Sequence, residues 1–305
     1  MKTITPAALI AALSSKSPPL LLHVLPEESW AQQHLPGSRC ACVYEVGFLD
    51  TVRRFAPDLA TPLVVYGAGL PTLESAAAAE KLTAAGYLDV GDFSGGMAAW
   101  LADGLTTEGT GKVPTEPSHN GVWHVDPTAS IIRWTGRNLF NHHEGNLRLS
   151  GGSFHIENEN LKDSGFTIDM TSIACTDIPD QAANQMLLHH LANSDFFLTS
   201  KFPGAHFTAI SATPIPTATP GTPNYEIEGN LTLRGITQSL RFPALLAIND
   251  EGHLIAQAQL EIDRTRWGVN YGSGRFFAWL GKHIVNDFVA LHLKITACKK
   301  TIGAH

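Results

Sequence analysis

The chain has 305 residues, and because a single hydrophobic core seldom grows beyond about 250–300 residues, we expect two domains. Its formal net charge of −7 at pH 7 provides no basic surface for nucleic acid and would tend to repel an anionic membrane. With 44% hydrophobic and 16% charged residues, the chain is apolar enough to fold and lightly charged for a globular surface.

The N-terminal segment contains neither a predicted transmembrane span nor a signal peptide. Its most apolar stretch, Leu9–Val24, is interrupted by Ser14–Pro19, whereas a spanning helix needs about 20 apolar residues. A helix over Pro6–Leu13 followed by a strand over Leu20–Val24 fits these residues better. We therefore expect a cytoplasmic protein.

Cysteines are too few and too scattered for a disulfide scaffold: the chain has Cys40, Cys42, Cys175 and Cys298. Residues two apart on a strand point the same way, so a Cys40–Cys42 disulfide is one alternative. Free thiols are the alternative that a reducing cytosol favours.

The first hundred residues alternate apolar strands with alanine-rich helices. Leu20–Val24 and Leu63–Tyr66 are short continuous apolar runs, typical of strands that are covered on both faces. A helical stretch over Leu73–Ala85 follows. This order predicts an α/β domain with a parallel sheet and right-handed crossovers.

From Val122 onward, apolar and polar residues alternate with a period of two. The pattern is clear in Tyr225–Arg234, Leu254–Ile262 and Val289–Ile295, and it predicts strands with one dry and one wet face in an antiparallel barrel or sandwich. One helix is expected over Gln181–Leu191.

A stretch rich in glycine and proline, Glu108–Gly121, separates the two textures and has the composition of a linker. The predicted organisation is therefore a domain over residues 1–107, a linker over 108–121 and a β-domain over 122–298.

Several ordered segments carry a resemblance in the first domain: His34–Ser38, Val64–Tyr66, Gly86-Tyr87, Phe93–Trp100 and Gly104. Together they resemble the rhodanese-like family from about Ile4 to Leu105. The resemblance implies a catalytic cysteine at the end of the Val64–Tyr66 strand, which carries a persulfide within a loop of backbone N–H groups and an arginine.

Three catalytic features of that family are missing here. Gly67 stands where the rhodanese cysteine would be, the loop Gly67–Ser75 contains neither cysteine nor arginine, and His23-Val24-Leu25 replaces an Asp-x-Arg segment. Glu74 argues against anion binding at the start of the next helix. We expect an inactive docking or regulatory domain with a possible protein partner, with a residual sulfurtransferase-linked function as the alternative.

The second domain carries its own chain of ordered motifs. They are Trp123–Ser130, His189–Phe197 with Lys201–Pro203, Gly229–Thr237, Ile262–Val269 and Val285–Asp287. These segments resemble the YceI-like family over about Val122–Ala297. The resemblance implies an extended lipocalin-like barrel of eight strands, and several members of that family bind isoprenoids or other long-chain amphiphiles.

Aromatic residues are the candidate ligand-binding set of this barrel. Alternation with polar neighbours predicts inward positions for some, adjacent phenylalanines offer one inward ring, and an apolar cluster is expected near the barrel mouth; in chain order the candidates are Trp134, Phe154, Phe166, Phe196, Phe197, Phe207, Trp267, Phe276 and Phe277. The expected ligand is an isoprenoid, a quinone-like lipid or a fatty acyl chain. The alternative is that these rings fill the barrel and the protein is a scaffold.

No catalytic or cofactor motif emerges from the rest of the sequence, so we expect neither enzyme activity nor a cofactor. Adjacent histidines, His142-His143 and His189-His190, cannot easily chelate as pairs. A metal site would need one histidine from each pair to meet across the fold, and none is predicted. Asp263-Arg264 is interpreted as a structural ion pair or a hydrogen-bond anchor.

Overall fold

The computed structural model describes residues 2–111, 118–158 and 160–299. The chain divides into two compact units, residues 1–116 and 117–305. Residues 112–117 of the expected linker lie outside the described residues. Hydrogen bonds attach the start of that linker to the first unit, because the Gly111 N–H donates to the Gln32 carbonyl at 3.0 Å and Glu108 and His34 exchange backbone bonds at 2.9 Å.

The first unit is a parallel sheet of five strands with the order β1-β5-β4-β2-β3, which confirms the predicted α/β class. Its strands are β1 (Lys2–Thr3), β2 (Leu20–His23), β3 (Arg39–Cys40), β4 (Leu63–Tyr66) and β5 (Val90–Asp92), and its helices are α1 (Pro6–Leu13), α2 (Glu27–Gln32), α3 (Phe48–Phe55), α4 (Glu74–Ala84) and α5 (Gly96–Ala102).

Apolar side chains cover both faces of this sheet, which explains why its strands are short continuous apolar runs. All four residues of β4 are buried. Leu63 and Val65 face a core with Leu22 and Leu82, whereas Val64 and Tyr66 face a second core on the other side. Strand β4 is therefore buried on both faces, and its carboxyl end fixes where the following loop begins.

The second unit is an antiparallel barrel. Its strands are β6 (Gly121–Val125), β7 (Ile131–Arg137), β8 (His142–Glu157), β9 (Asn160–Cys175), β10 (Gly204–Pro214), β11 (Tyr225–Leu233), β12 (Ile236–Ile248), β13 (Leu254–Asp263) and β14 (Phe288–Lys299), with helix α6 (Gln181–Ala192) and two short 3₁₀ helices, Arg264–Trp267 and Gly281–His283. Successive strands pair from β7 to β14, and β14 pairs with β7, so the sheet closes. This confirms the predicted eight-stranded barrel.

Strands β6 and β7 share one position in the barrel, since both pair with β8 and β14. A turn separates them, in which the Asp126 carboxylate accepts hydrogen bonds from the N–H groups of Thr128 at 2.8 Å and Ala129 at 3.2 Å. The Thr296 N–H donates to the Ser130 hydroxyl at 3.0 Å. Asp126 and Ser130 thus break one long strand into two pieces that wrap the barrel.

The period-two pattern of β11 places its side chains as predicted. Tyr225, Ile227, Gly229, Leu231 and Leu233 are buried, and the residues between them are partly or fully exposed. Because alternate residues face opposite sides of a strand, one row of β11 faces the barrel interior. Among the described residues, no helix combines the length and the apolarity that crossing a bilayer requires.

Candidate ligand-binding cavity

A cavity of about 330 Å³ lies inside the barrel. Its wall is largely aliphatic and comes from β7, β8, β9, β11, β13, β14 and α6, with the side chains of Ile132, Leu147, Ile168, Met170, Ile173, Leu187, Leu191, Leu231, Leu233, Ile262, Val289 and Leu291. Such a wall cannot hydrogen-bond a ligand, so it selects for apolar surface by the hydrophobic effect.

Trp134 contributes the large aromatic surface of this wall. It stands directly opposite Gly145 in the β7–β8 pair. A Cβ atom on residue 145 would lie 2.7 Å from the indole Cζ2 atom and would also overlap the Ala174 carbonyl. Glycine at position 145 therefore gives the indole ring its place beside the cavity.

Phe196 and Phe197 line the cavity next to helix α6. The Phe196 ring lies 4.9 Å from the His190 ring and 5.4 Å from the Tyr271 ring, and Phe196 is buried whereas Phe197 is half-buried. The helix itself begins at a side-chain cap, in which the Asp180 carboxylate accepts from the Ala183 N–H at 2.8 Å. Helix α6 and the segment after it thus form one side of the cavity.

Polar residues surround one part of the cavity, and we call this set the rim: Arg137, Asn138, His143, Lys282, His283 and Asn286. All of them are exposed except His143, which is half-buried. The two strand ends that carry the rim are adjacent, because the Asn286 N–H donates to the Arg137 carbonyl at 2.9 Å and Asn138 pairs with Val285. The cavity therefore has an apolar wall and a polar, solvent-accessible rim.

His143 is held in place by Asp177, whose carboxylate oxygen lies 2.9 Å from His143 Nδ1. Burial raises the pKa of the Asp177 carboxyl, but hydrogen bonds from the Glu144 N–H, His143 and the Cys175 thiol outweigh it and bring the pKa to about 2. The carboxylate is consequently ionised at neutral pH and accepts the hydrogen bond from His143.

Arg264 also lines the cavity, but its guanidinium is used to anchor the chain. It donates to the carbonyls of Asn286 at 2.9 Å, Val269 at 2.5 Å and Val285 at 3.1 Å. Asp263 pairs with Arg275 at 2.9 Å, so an Asp263–Arg264 ion pair is not what forms. The alternative interpretation of Arg264 as a hydrogen-bond anchor describes its role, which is to fix the segment that carries the rim.

Three of the predicted aromatics lie away from this cavity. Phe154, Phe166 and Phe207 line a separate space of about 50 Å³. Phe207 packs against Phe166 at 5.3 Å and against Phe242 at 5.7 Å between ring centroids. These rings fill their part of the interior and leave little room there.

Trp267, Phe276 and Phe277 do not line the cavity, which corrects their predicted placement. Trp267 is fully buried in a 3₁₀ helix, and its indole N–H donates to the Leu231 carbonyl at 2.9 Å. Phe276 and Phe277 are 53% and 50% exposed. Strand alternation does not apply to any of these residues, because the chain leaves β13 at Asp263 and runs through turns up to β14.

In the first unit, the Glu74 side chain occupies the space beside Gly67 where a cysteine side chain would begin. A Cβ atom on residue 67 would overlap the Cγ and Oε1 atoms of Glu74 and would lie 2.7 Å from its Cδ atom. The buried carboxylate accepts hydrogen bonds from the Ala68 N–H at 2.7 Å and the Thr72 hydroxyl at 2.7 Å. The loop donor that could hold a sulfur anion is therefore bound to the chain's own carboxylate.

His23, the residue at the position of the family's aspartate, is completely buried, and neither ring nitrogen has a hydrogen-bond partner among the described residues. Burial, followed by repulsion from His34, lowers the pKa of His23 to about 4. The ring is therefore neutral and packs edge-on against Tyr66 at 5.1 Å.

All four cysteines are free thiols, so the alternative of a Cys40–Cys42 disulfide is wrong. Burial and then the nearby Glu27 raise the pKa of the Cys40 thiol to about 11, and burial raises the pKa of the Cys175 thiol. Since the thiolate is the reactive form, neither is an activated nucleophile. Within the described residues, no three His, Cys, Asp or Glu side chains cluster as metal ligands would.

The two units thus have the architecture of a rhodanese-like α/β domain and a lipocalin-like β-barrel. A family model of the rhodanese-like domain matches residues 5–103, and a model of the YceI-like domain matches residues 123–297. The chain belongs to the YceI-like family and carries a rhodanese-like domain before the barrel. No curated protein matches the chain.

Solved structures resemble each unit. The structure of BcnA from Burkholderia cenocepacia is 22% identical and covers 57% of this chain and 99% of that chain, with a TM-score of 0.41. A polyisoprenoid binding domain from Saccharophagus degradans is 14% identical and covers 57% of this chain and 97% of that chain, also with a TM-score of 0.41. The rhodanese-like domain of the Alr3790 protein from Anabaena is 23% identical and covers 40% of this chain and 90% of that chain, with a TM-score of 0.33.

Proposed function

We propose that the barrel is a non-catalytic binding protein for one long-chain amphiphile, an isoprenoid, a quinone-like lipid or a fatty acyl chain. The observation that carries this proposal is the cavity of about 330 Å³ with its aliphatic wall and polar rim. This volume is at the lower end of the ~300–1,000 Å³ that ligand pockets usually have. One narrow apolar chain suits it better than a lipid with two chains.

The hydrophobic effect supplies a large part of the binding free energy. If about ten methylene groups enter the cavity at ~0.8 kcal/mol each, the gross gain is ~8 kcal/mol. Association costs ~4–15 kcal/mol of lost freedom, so each further buried methylene group and each contact at the rim matters. We therefore expect affinity to increase with chain length until the cavity is full.

The first experiment is extraction of the purified protein with organic solvent, followed by mass spectrometry. A stoichiometric long-chain lipid is the expected result. Protein that yields no lipid and, after delipidation, binds no neutral hydrophobic probe contradicts the proposal. That outcome favours the scaffold alternative, in which side chains leave no usable cavity.

Helix α6 offers a matched pair of variants. Leu187 lines the cavity, whereas its neighbour Met186 is 74% exposed. We expect Leu187→Asp to weaken binding of the probe at least about tenfold, because a carboxylate in an apolar site must be desolvated. Met186→Asp introduces the same charge on the same helix and should leave the affinity within about twofold. Equal effects of the two substitutions would argue against a ligand in this cavity.

We further propose that the rhodanese-like unit is a docking or regulatory module without sulfurtransferase activity. Glu74 beside Gly67 and the raised thiol pKa values of Cys40 and Cys175 support this reading. The purified protein should transfer no sulfur from thiosulfate or 3-mercaptopyruvate to cyanide. Activity that a single cysteine-to-serine substitution abolishes would instead reveal a relocated nucleophile.

A further inference from the structure

The ionisable side chains around the barrel cavity are unusual in sign for a chain of net charge −7. Apart from Tyr271, those that line the cavity are Arg137, His143, His190, Arg264, Lys282 and His283, and none of the described lining residues is an aspartate or a glutamate. Three of them, the two arginines and the lysine, carry a fixed positive charge at neutral pH. The side chains that line the cavity therefore carry cationic groups and no carboxylate, in contrast to the excess of acidic residues in the chain as a whole.

Carboxylates lie close to some of these cationic groups, at distances that differ from one group to the next. Asp177 lies 2.9 Å from His143 and Asp195 lies 3.4 Å from His190, whereas Glu261 approaches Arg137 only to 3.9 Å. Arg264 is committed to backbone carbonyls, with Asp287 at 3.9 Å.

Lys282 stands apart from these pairs. Its ammonium group makes no ion pair with any residue that the structure describes. Arg137 and Lys282 are thus the rim cations whose charge is least neutralised by nearby carboxylates.

The two rim asparagines add donors rather than acceptors. The Asn138 side-chain oxygen accepts from the N–H groups of Phe140 at 2.8 Å and Asn141 at 2.7 Å, and the Asn286 side-chain oxygen accepts from the Phe288 N–H at 3.0 Å. Both acceptor positions of the Asn138 oxygen and one of the two of the Asn286 oxygen are thus used, whereas the amide N–H groups of both side chains remain to be donated. Arginine and lysine are donors only, so the rim is rich in donors and poor in acceptors.

We infer that the rim binds an anionic head group, a carboxylate or a phosphate monoester, so that the ligand of this barrel is an acidic single-chain amphiphile. A carboxylate or phosphate offers acceptors only and matches Arg137 and Lys282 in charge, and such charge-assisted bonds are about twice as strong as neutral ones. A hydroxyl or a quinone oxygen can accept a hydrogen bond from these cations but carries no net charge, so it gains less at the rim than an anion does. A cationic head group is repelled. This inference rests on the proposed function, since it assigns the head group of the same ligand.

The test compares head groups on one constant chain. Delipidated full-length protein is loaded with a neutral fluorescent hydrophobic probe, and the probe is displaced by palmitate, hexadecyl phosphate, 1-hexadecanol or hexadecyltrimethylammonium. We expect both anions to bind at least about tenfold more tightly than the alcohol, and the ammonium compound to bind most weakly. Raising the salt concentration should reduce the preference for the anions and leave the alcohol unchanged.

Matched variants locate the preference at the rim. Arg137→Gln with Lys282→Gln should bring palmitate and 1-hexadecanol to within about twofold of each other, mainly by weakening the binding of palmitate. The control removes the same two charges elsewhere: Arg133 is exposed on the same strand as Arg137, Lys294 is exposed on β14, and neither lines the cavity. Arg133→Gln with Lys294→Gln should retain the full preference.

The outcomes distinguish failure of the head-group inference from failure of the proposed function. Displacement by all four compounds with equal affinity, or a preference for anions that survives in the Arg137→Gln/Lys282→Gln protein, overturns the head-group inference and leaves the apolar site standing. Displacement by none of them, in protein that binds no probe, contradicts the proposed function itself. A preference for only one of the two anions supports the inference and assigns the head group to that class.

Discussion

The buried carboxylate of Glu74 allows a direct test of whether the first unit fills its own anion site. Glu74→Ala removes the acceptor of the Ala68 N–H bond and of the Thr72 hydroxyl bond, both 2.7 Å long. Ala68 and Thr72 are exposed residues, and the Thr72 hydroxyl can donate to the Gly69 carbonyl at 2.5 Å instead, so the loss to be expected is that of hydrogen bonds to a charged group, which contribute ~1.5–3 kcal/mol. The carboxylate also stands in the first turn of α4, where a negative charge stabilises the helix by ~0.3–1 kcal/mol.

From these contributions we expect Glu74→Ala to lower the free energy of unfolding of the first unit by ~2–4 kcal/mol. Pulsed hydrogen exchange at increasing urea concentration measures it in the full chain, through peptides from β4 and α4. Glu80 lies exposed on the same helix, so Glu80→Ala should change the stability by less than ~0.5 kcal/mol. A Glu74→Ala protein no less stable than the Glu80→Ala protein would refute the reasoning.

The same variant should acquire an anion site. Once the carboxylate is gone, the loop N–H groups at the start of α4 are open to an added anion. Thiosulfate should then raise the stability of the Glu74→Ala protein, and ligand at 100 times its Kd would contribute ~2.7 kcal/mol. Wild type and Glu80→Ala, titrated in parallel, report the general effect of salt. Equal stabilisation of all three proteins would mean that the wild-type loop is not filled by Glu74.

Two further predictions concern pH and domain organisation. The pKa of His23 is about 4 in the folded chain, against an ordinary value of 6.5. Between these two pH values the unfolded state binds more protons than the folded state does. The free energy of unfolding of the first unit should therefore fall by up to ~3 kcal/mol as the pH drops from about 6.5 to about 4. Urea titrations of His23→Phe should show less of this loss, and identical pH profiles for the two proteins would contradict it. From the composition of residues 108–121 we also expect trypsin to cleave after Lys112 and leave two fragments that stay in solution, whereas precipitation of both would mean that the units depend on a shared apolar surface.

Much of the fold could be predicted because the local patterns and the tertiary structure agree. The helix Pro6–Leu13 and the strand Leu63–Tyr66 have the predicted bounds, and α6 begins at the predicted Gln181. Each has a strong local cause: a proline at the first helical position, a continuous apolar run, and an aspartate cap. Closure of the sheet into eight strands could not be predicted from local patterns, because alternation alone is equally compatible with a sandwich. It was predicted from the family resemblance.

The site was harder to predict, because alternation shows that a residue points inward but not what it meets there. Phe166 and Phe207 do point inward, yet they pack against each other instead of leaving a cavity. The aliphatic wall residues Leu231 and Leu233 lie in the same kind of alternating pattern, but alternation does not distinguish an aliphatic side chain that lines a cavity from one that fills the core. Trp267 was misplaced for another reason, because a 3₁₀ helix at that point ends the strand periodicity.

One contrast connects the two units: a group that can bind an anion has its partner within the chain in the first unit, and it lacks an ion-pair partner among the described residues at the barrel rim. In the first unit, the Glu74 carboxylate accepts the hydrogen bonds of the loop after β4. An external anion would have to displace this carboxylate, which belongs to the same chain and is already bound. In the barrel, the side-chain oxygens of Asn138 and Asn286 are satisfied by the loops, but Lys282 has no ion-pair partner among the described residues. The capacity to gain free energy from a new partner therefore lies at the barrel rim, beside an apolar cavity, which is why the ligand is to be sought there.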